Sequence, residues 1–371
     1  MTLWACTLVH DLSFSGFPNR LRKSAAFSHM RSRILRVKIR SAARGETRRA
    51  PAAHLPNSQP HGPALIVIGM LAMVVIPAGL TLLAVKSPGT LNVGANPSPH
   101  GYTWSLLLFV IPILVISLWF LPSAGLEIPQ RAFWRTIGIL APIGCLLDVI
   151  FAQWFFRYPD PSATLGIEAP ALGRPVPIEE YVFYLTGFIT VLLLYVWLSE
   201  YWLAAYTVED YAAEARASRR LLQFHPMSLF LGVGLIVAAT VYKKWFSSVP
   251  EGWPGYFIVL VAGGLIPSAS FYPATRRFIN WRALSLTMFV ILLVSLLWEA
   301  TLALPYGWWN YQHAAMMGVF IGAWSGLPIE AVLVWLAVSY GTVILFEVVK
   351  IWQASGRPAR DAFLGPRQNP S

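Results

Sequence analysis

Two acidic residues lie inside long apolar stretches of this 371-residue chain. Asp148 is embedded in ILAPIGCLLDVIFAQWFF, and Glu299 is embedded in MFVILLVSLLWEATLAL. An ionisable side chain in such a segment is costly, and its presence favours a functional role. In apolar surroundings a carboxylic acid tends to stay protonated, and beside a second, ionised carboxylate it forms a pair that can donate and remove protons. These residues therefore predict acid–base chemistry.

Further acids follow a proline at the start of two other apolar stretches, which read Pro177-Ile178-Glu179-Glu180 and Pro328-Ile329-Glu330-Ala331. Proline is well placed at the start of a helix, because the N–H it lacks would have no partner there. A glutamate in the first turn meets free backbone amides and the positive end of the helix. Such glutamates can serve as helix caps alone, and that interpretation stays open beside a catalytic one.

The acids recur because the chain contains an internal repeat. A shift of 151 residues aligns Asp148 with Glu299 and Pro177-Ile178-Glu179 with Pro328-Ile329-Glu330, without a gap. Each in-span acid then lies 31 residues before the glutamate of its Pro-Ile-Glu. Duplicated membrane units place their shared sites at the interface between the copies. Duplication that serves folding alone is the other interpretation.

The elements that carry these acids are membrane spans. Hydrophobic residues make up 56% of the chain and charged residues 12%, whereas a soluble domain carries about 25% charged residues. Because about 20 apolar residues cross a bilayer as a helix, the sequence predicts an all-α integral membrane protein of about eight transmembrane helices in two tandem four-helix repeats of the same orientation. The predicted spans are 64–85, 102–121, 133–155, 176–203, 227–246, 255–271, 284–304 and 327–351.

The domain boundaries follow from these spans and from charge. We predict a basic N-terminal tail (1–63), a first membrane repeat (64–204), a cytoplasmic linker (205–225), a second repeat (226–352) and a C-terminal tail (353–371). The tail is read as a cytoplasmic anchor near anionic lipid rather than a nucleic-acid arm; a transit peptide or upstream sequence read from an early start codon are alternatives. Lys and Arg concentrate in alternate connecting segments, which places both termini in the cytoplasm by the positive-inside rule.

In this topology five acids gather at one membrane level. Asp148 and Glu299 lie about 8–10 Å below the outer ends of their spans at 1.5 Å per residue, and the following spans start at that surface with the Pro-Ile-Glu glutamates. The level is expected to hold Asp148, Glu179, Glu180, Glu299 and Glu330. Tryptophan, phenylalanine and tyrosine accumulate around both sets of acids. They fit an aromatic belt at the bilayer interface or the wall of a cavity that stabilises a cation.

At PVPIEEYVFYLTGF, with its upstream aspartate and aromatic loop, and again at LPIEAVLVW, the chain resembles the non-flavin lycopene cyclase family. This family comprises heterodimeric bacterial enzymes, their archaeal fusions and the cyclase part of fungal bifunctional enzymes. The resemblance covers roughly 102–203 and 255–351. It implies an intramolecular lyase or isomerase that protonates an acyclic carotenoid end group, closes a ring through a carbocation and removes a proton. No redox change and no cofactor would be involved.

The resemblance also implies roles for individual residues. Glu179 and Glu330 would be the family-matching catalytic acids, with Glu180 beside the first; Asp148 and Glu299 would hold, share or remove the proton. The residues expected to contact the carotenoid are Trp154, Phe183, Tyr184, Trp298, Trp308, Trp309 and Trp335. The expected location is the cytoplasmic membrane of a bacterium, with the bilayer and other enzymes of the carotenoid pathway as partners and no nucleic acid.

Two departures from the family pattern stand out: Ala331 replaces the second acid in the second repeat, and the spans at 64–85 and 227–246 are additions to a three-helix unit. The sequence lacks a dinucleotide fingerprint and metal-ligand spacing of its histidines. Glu347 and Lys350 are read as an interfacial ion pair.

Two other functional classes remain compatible with the sequence. Tandem helical repeats with acids in the membrane also describe transporters and proton-coupled permeases, and a non-catalytic isoprenoid-binding scaffold is a third reading. Acids gathered at one level favour the enzyme.

Overall fold

The computed structural model describes residues 99–120 and 128–366, and within them seven helices are long and apolar enough to cross a membrane. The protein is an all-α integral membrane protein, as predicted. The long helices are α1 Gly101–Val115, α2 Gln130–Phe155, α3 Ile178–Trp197, α5 Pro226–Trp245, α6 Gly255–Thr275, α7 Trp281–Trp298 and α8 Ile329–Ser355. The short helices are α4 Tyr211–Ala217 and α9 Ala359–Leu364. The predicted tail 1–63 and span 64–85 lie outside the described residues.

Local sequence explains several helix boundaries. Helices α3 and α8 begin directly after Pro177 and Pro328, as predicted, because proline tolerates the lack of an N–H partner only at a helix start. Asn280 caps α7 by accepting the N–H of Ala283 at 3.1 Å, which is the usual role of asparagine at this position. Three helices continue into one π-helical turn: Ile116–Phe120 after α1, Leu198–Trp202 after α3 and Glu299–Ala303 after α7.

The connecting segments repeat in the same order in both halves. A two-residue strand, a 3₁₀ turn and a two-stranded hairpin join α2 to α3. The same elements join α7 to α8, with one additional 3₁₀ turn, Gly322–Trp324, between the strands of the second hairpin. The strands are β1 Phe156–Arg157, β2 Glu168–Ala169, β3 Val176–Pro177, β4 Asn310–Tyr311, β5 Phe320–Ile321 and β6 Leu327–Pro328. This order is what an internal duplication produces.

The two halves meet through short strands as well as helices. Strand β1 pairs antiparallel with β4, so that Phe156 lies opposite Tyr311 and Arg157 lies opposite Asn310. Within each half, β2 pairs with β3 and β5 pairs with β6. We call this side of the bundle the hairpin end. The starts of α3 and α8 and the ends of α2 and α7 therefore lie close to the boundary between the halves.

Helices α3 and α8 form the centre of the bundle. Helix α3 packs against α1 and α2, α8 packs against α6 and α7, and the two central helices contact each other. Each also crosses to the other half, because α8 contacts α2 and α3 contacts α7. The most apolar window of α8 is 61% buried, compared with 17% for α5 and 11% for α6. Side chains at the start of α3 and α8 are thus enclosed by both halves.

A second buried carboxyl group lies at the opposite end of the bundle. Glu347 accepts hydrogen bonds from the hydroxyls of Tyr195 at 2.8 Å and Tyr211 at 2.7 Å. Lys350 pairs instead with Glu200 at 2.5 Å. The predicted Glu347–Lys350 ion pair is therefore wrong: the helical spacing brings the two residues near each other, but α3 and α4 supply both with closer partners.

Candidate functional site

The hairpin end contains a chamber between the two halves, with about 510 Å³ of empty space counted to its mouth. Helices α3 and α8, the π turn after α7, the first turns of α1 and α6, and the segment that includes β1 and β4 all contribute to it. It is lined by Tyr102, Phe156, Glu180, Phe183, Tyr184, Gly187, Tyr256, Glu299, Trp309, Tyr311, Val334, Trp335 and Val338. Two carboxyl groups thus face one largely aromatic space, one from each half.

Each of these carboxyl groups is held by a tyrosine. The hydroxyl of Tyr102 donates to Oε1 of Glu180 at 3.0 Å, and the hydroxyl of Tyr311 donates to Oε2 of Glu299 at 2.5 Å. Glu180 is 6% exposed and Glu299 is 3% exposed. Neither has an ion-pair partner among the described residues, where the one salt bridge joins Lys350 to Glu200. Phenol donors fix both carboxyl groups and leave oxygen lone pairs free to exchange a proton with a ligand.

The phenols outside the membrane-spanning helices remain hydrogen-bond donors over the working pH range. Burial raises the pKa of Tyr311 well above its usual 10, and the neighbouring Glu299 carboxylate raises it further. Burial likewise raises the pKa of Tyr158, with further contributions from Glu180 and Asp148. The Tyr158 hydroxyl lies beside the Glu180 carboxyl group and is oriented to donate to it.

Glu179 and Glu330 occupy equivalent positions in the two halves and hold the preceding loops. Oε1 of Glu179 accepts from the backbone N–H of Leu165 at 2.8 Å and from the hydroxyl of Thr103 at 2.5 Å. Oε1 of Glu330 accepts from the backbone N–H of Met317 at 2.5 Å. Neither residue lines the chamber. Of the predicted acids, Glu180 and Glu299 therefore line the chamber, whereas Glu179 and Glu330 do not. Glu179 and Glu180 differ in this way because successive residues of a helix point about 100° apart.

The in-span acids of the two repeats differ in position. Glu299 lines the chamber, whereas Asp148 is 4% exposed, lies outside the lining and interacts electrostatically with Glu180. Oδ2 of Asp148 is buried without a hydrogen-bond partner. Glu299 begins a π-helical turn, while α2 stays α-helical through Phe155. The helices therefore wind differently at these two positions, and glutamate reaches one methylene further than aspartate, so the two equivalent acids lie differently relative to the chamber.

The aromatic residues predicted to contact a ligand separate into three groups. Phe183, Tyr184, Trp309 and Trp335 line the chamber, and Trp298 stacks on Phe183 with ring centroids 5.5 Å apart. Trp308 stacks on Tyr102 at 6.0 Å and supports the wall from outside the lining. Trp154 lies elsewhere: its side chain is 64% exposed on the outer face of α2, against Phe151. Its prediction as a contact residue is not supported by this placement, because the inner face of α2 carries Asp148 and Phe155.

Two chamber tyrosines were missed by the sequence reasoning. Tyr102 and Tyr256 are the second residues of α1 and α6, where each helix begins with Gly-Tyr. Their separation is 154 residues rather than 151, so the gapless alignment of the repeats does not match them. Tyr256 packs against Phe156 at 5.4 Å and interacts electrostatically with acids of both halves. A repeat search that allows a gap would have found the Gly-Tyr pair.

Fold and site together define an all-α integral membrane protein with two carboxyl groups in an aromatic chamber between duplicated halves. No cluster of three or more His, Cys, Asp or Glu side chains suited to a metal ion occurs in the described part of the chain. Comparison with known protein families, with curated proteins and with solved structures found no match for this chain. The function is therefore argued from the chamber itself.

Proposed function

We propose that this protein is a carotenoid end-group cyclase of the lycopene cyclase type, an intramolecular lyase or isomerase of the membrane. The observation that carries the proposal is the placement of Glu180 and Glu299, one from each half, in one aromatic chamber. Such a pair supplies a proton donor and a proton acceptor in a space that an apolar molecule fills. The resemblance of both Pro-Ile-Glu segments to non-flavin lycopene cyclases supports the same reaction.

The reaction balances without a co-reactant. The protonated carboxyl group of the pair gives its proton to the terminal double bond of an acyclic end group, which leaves a tertiary carbocation. The electron pair of a second double bond in the same end group attacks this carbon and closes a six-membered ring. The other carboxylate removes a proton from a carbon beside the new cation, and a ring double bond forms. One proton enters and one leaves, so the product is an isomer of the substrate.

The walls of the chamber suit the cationic intermediate. Aromatic faces attract cations through the ring quadrupole, most strongly where water is excluded. Phe183 lies between Trp298, stacked at 5.5 Å, and Trp335, edge-on at 5.4 Å. These rings carry no hydroxyl or carboxylate that would trap the cation. Exclusion of water also prevents hydration of the intermediate.

The position of the acids favours an enzyme over a permease. Asp148, Glu179, Glu180, Glu299 and Glu330 all belong to the hairpin end. Glu347 lies 17 residues beyond Glu330 on α8, about 25 Å away at 1.5 Å per residue, and is closed off by two tyrosines. In the described spans no acidic residue lies between these two levels. A proton-coupled permease would be expected to carry acids along its path.

Expression in a bacterial host that accumulates lycopene tests the proposal. The proposal is supported if the host makes pigment with one or two ringed ends and the same host that expresses Glu180→Gln does not. Unchanged lycopene with well-inserted protein rejects it and favours a permease or an isoprenoid-binding scaffold. The same proposal includes location in the cytoplasmic membrane, both termini in the cytoplasm, and association with other carotenoid-pathway enzymes. Reporter fusions at each end of the chain test the orientation.

A further inference from the structure

A groove continues from the chamber along α3 and α7 toward the middle of the membrane. It has about 460 Å³ of empty space, counted to its open side. Its lining consists of Leu106, Phe109, Phe183, Thr186, Gly187, Thr190, Ile291, Val294, Ser295, Trp298 and Trp335. Phe183, Gly187 and Trp335 line both the groove and the chamber. We call these three residues the neck, because the two spaces adjoin there.

The dimensions of the combined space match an elongated molecule. On α3 the lining runs from Glu180 to Thr190, and on α7 it runs from Glu299 to Ile291. At 1.5 Å per residue these stretches are about 15 Å and about 12 Å long. The carboxyl groups lie at one end of this path and the apolar residues at the other.

The surface of the groove is apolar even where its residues are polar by type. The hydroxyl of Thr186 donates to the carbonyl of Val182 at 2.7 Å, and that of Thr190 donates to the carbonyl of Thr186 at 2.7 Å. Both threonines therefore satisfy their hydroxyls within α3. No charged residue contributes to the lining. A hydrocarbon chain without polar groups is the ligand that suits such a surface, because it gives up no hydrogen bonds when it binds there.

The groove has an open side at the surface of the described helices. Helices α1 and α7 both pack against α3 and flank the stripe of Thr186, Gly187 and Thr190. Val294 on α7 lines the groove and is still 41% exposed, so it forms the rim. Within the part of the chain that the structure describes, the exposed rim of the groove thus lies on α7, while α1 supplies Leu106 and Phe109 to the lining.

The neck depends on a residue without a side chain. A Cβ atom placed on Gly187 would lie 3.3 Å from the Trp335 ring. This contact is closer than ordinary van der Waals distance, so a side chain here would displace the indole or narrow the passage. Glycine at this position keeps the chamber and the groove continuous.

We propose that the groove binds the linear chain of the molecule whose end occupies the chamber, and that this molecule reaches the chamber sideways from the bilayer between α1 and α7. The inference rests on the proposed function for what happens in the chamber, and it adds the class of substrate and its orientation. A long, linear hydrocarbon chain that carries no polar groups is held with one end at the carboxyl groups, so two equivalent ends react in separate binding events. A product with a single ring is released between them.

Val294→Trp tests the groove against a matched control, Leu293→Trp. The two residues are neighbours on α7, with 41% and 49% exposure, and Val294 alone of the two lines the groove. The probes are lycopene and a shortened acyclic terpenoid that carries one end group. Binding is measured by the visible absorbance of lycopene that co-elutes with the detergent-solubilised protein, and turnover by chromatography of the products.

We expect Val294→Trp to weaken lycopene binding and turnover by about tenfold to a hundredfold, because overfilling a packed apolar site is costly. Turnover of the shortened terpenoid should stay unchanged, and Leu293→Trp should resemble the unsubstituted protein with both probes. Equal behaviour of the two variants toward lycopene overturns the inference. If the protein binds lycopene without converting it, the cyclase proposal fails, and the same pair of variants still tests the groove through binding.

Discussion

Glu179 and Glu180 are adjacent in sequence, yet only Glu180 lines the chamber. Replacement of each in turn by glutamine distinguishes a catalytic contribution from a structural one. Glu180 lines the chamber, where the Tyr102 hydroxyl donates to it. Glu179 accepts from Thr103 and from the Leu165 backbone outside the chamber. Glutamine keeps the shape and the acceptor oxygen of each side chain but cannot exchange a proton. Glu180→Gln should therefore abolish catalysis, and Glu179→Gln should not.

The magnitudes follow from these contacts. A positioned acid or base contributes about 10²–10⁴-fold to a rate, which corresponds to about 3–5 kcal/mol of transition-state stabilisation. Glu180→Gln is expected to lose this factor while the Tyr102 hydroxyl still donates to the amide oxygen. For Glu179→Gln the amide oxygen can still accept from Thr103 and Leu165, and a loss of about 1 kcal/mol in stability is expected if one of these hydrogen bonds is weakened.

The assay compares the two variants in membranes of a lycopene-accumulating host, with ringed products measured per amount of inserted protein. The midpoint of thermal unfolding in detergent reports the stability of each. Glu180→Gln should have an unfolding midpoint close to that of the parent protein and almost no product, whereas Glu179→Gln should be less stable and active per folded molecule. Loss of activity in Glu179→Gln with full activity in Glu180→Gln would refute the reasoning and restore the assignment made from sequence.

Four further outcomes are expected. Glu330→Gln should retain activity per folded molecule. Glu330→Ala should lower the free energy of unfolding by about 1–3 kcal/mol, because the Met317 N–H loses its acceptor. A stable but inactive Glu330→Gln would contradict this. Tyr311→Phe should reduce turnover about tenfold by freeing Glu299 from its donor, with unchanged insertion as the control. Glu347→Leu should lower the unfolding midpoint without changing the product, as measured in detergent. Burial raises the pKa of Tyr158 and Tyr311 in the folded state. Above about pH 10 the unfolded protein therefore loses these protons while the folded protein keeps them, and stability should fall as pH rises further. An ultraviolet titration that shows both phenols ionised in the folded protein at about pH 10 would contradict this.

The amino-acid sequence by itself determined the membrane class, the duplication and the region of the site. Long apolar segments dictate spanning helices because an unpaired backbone polar group is too costly in lipid. Pro177 and Pro328 mark the starts of α3 and α8, where the structure has them. The shared register of Asp148 and Glu299 also identified the level at which the acids collect, since helix rise per residue is fixed.

The tertiary structure alone decided which of those acids share a chamber. Sequence register treats Asp148 and Glu299 as equivalent, but the π turn that starts at Glu299 and the crossing of α3 onto α7 bring Glu299, and not Asp148, into the space that Glu180 lines. Likewise, Glu179 and Glu180 cannot be ranked from a motif, because their partners come from segments distant in sequence. The direction of a side chain within a helix depends on local winding and on neighbours from other helices, and neither is encoded in spacing along the chain.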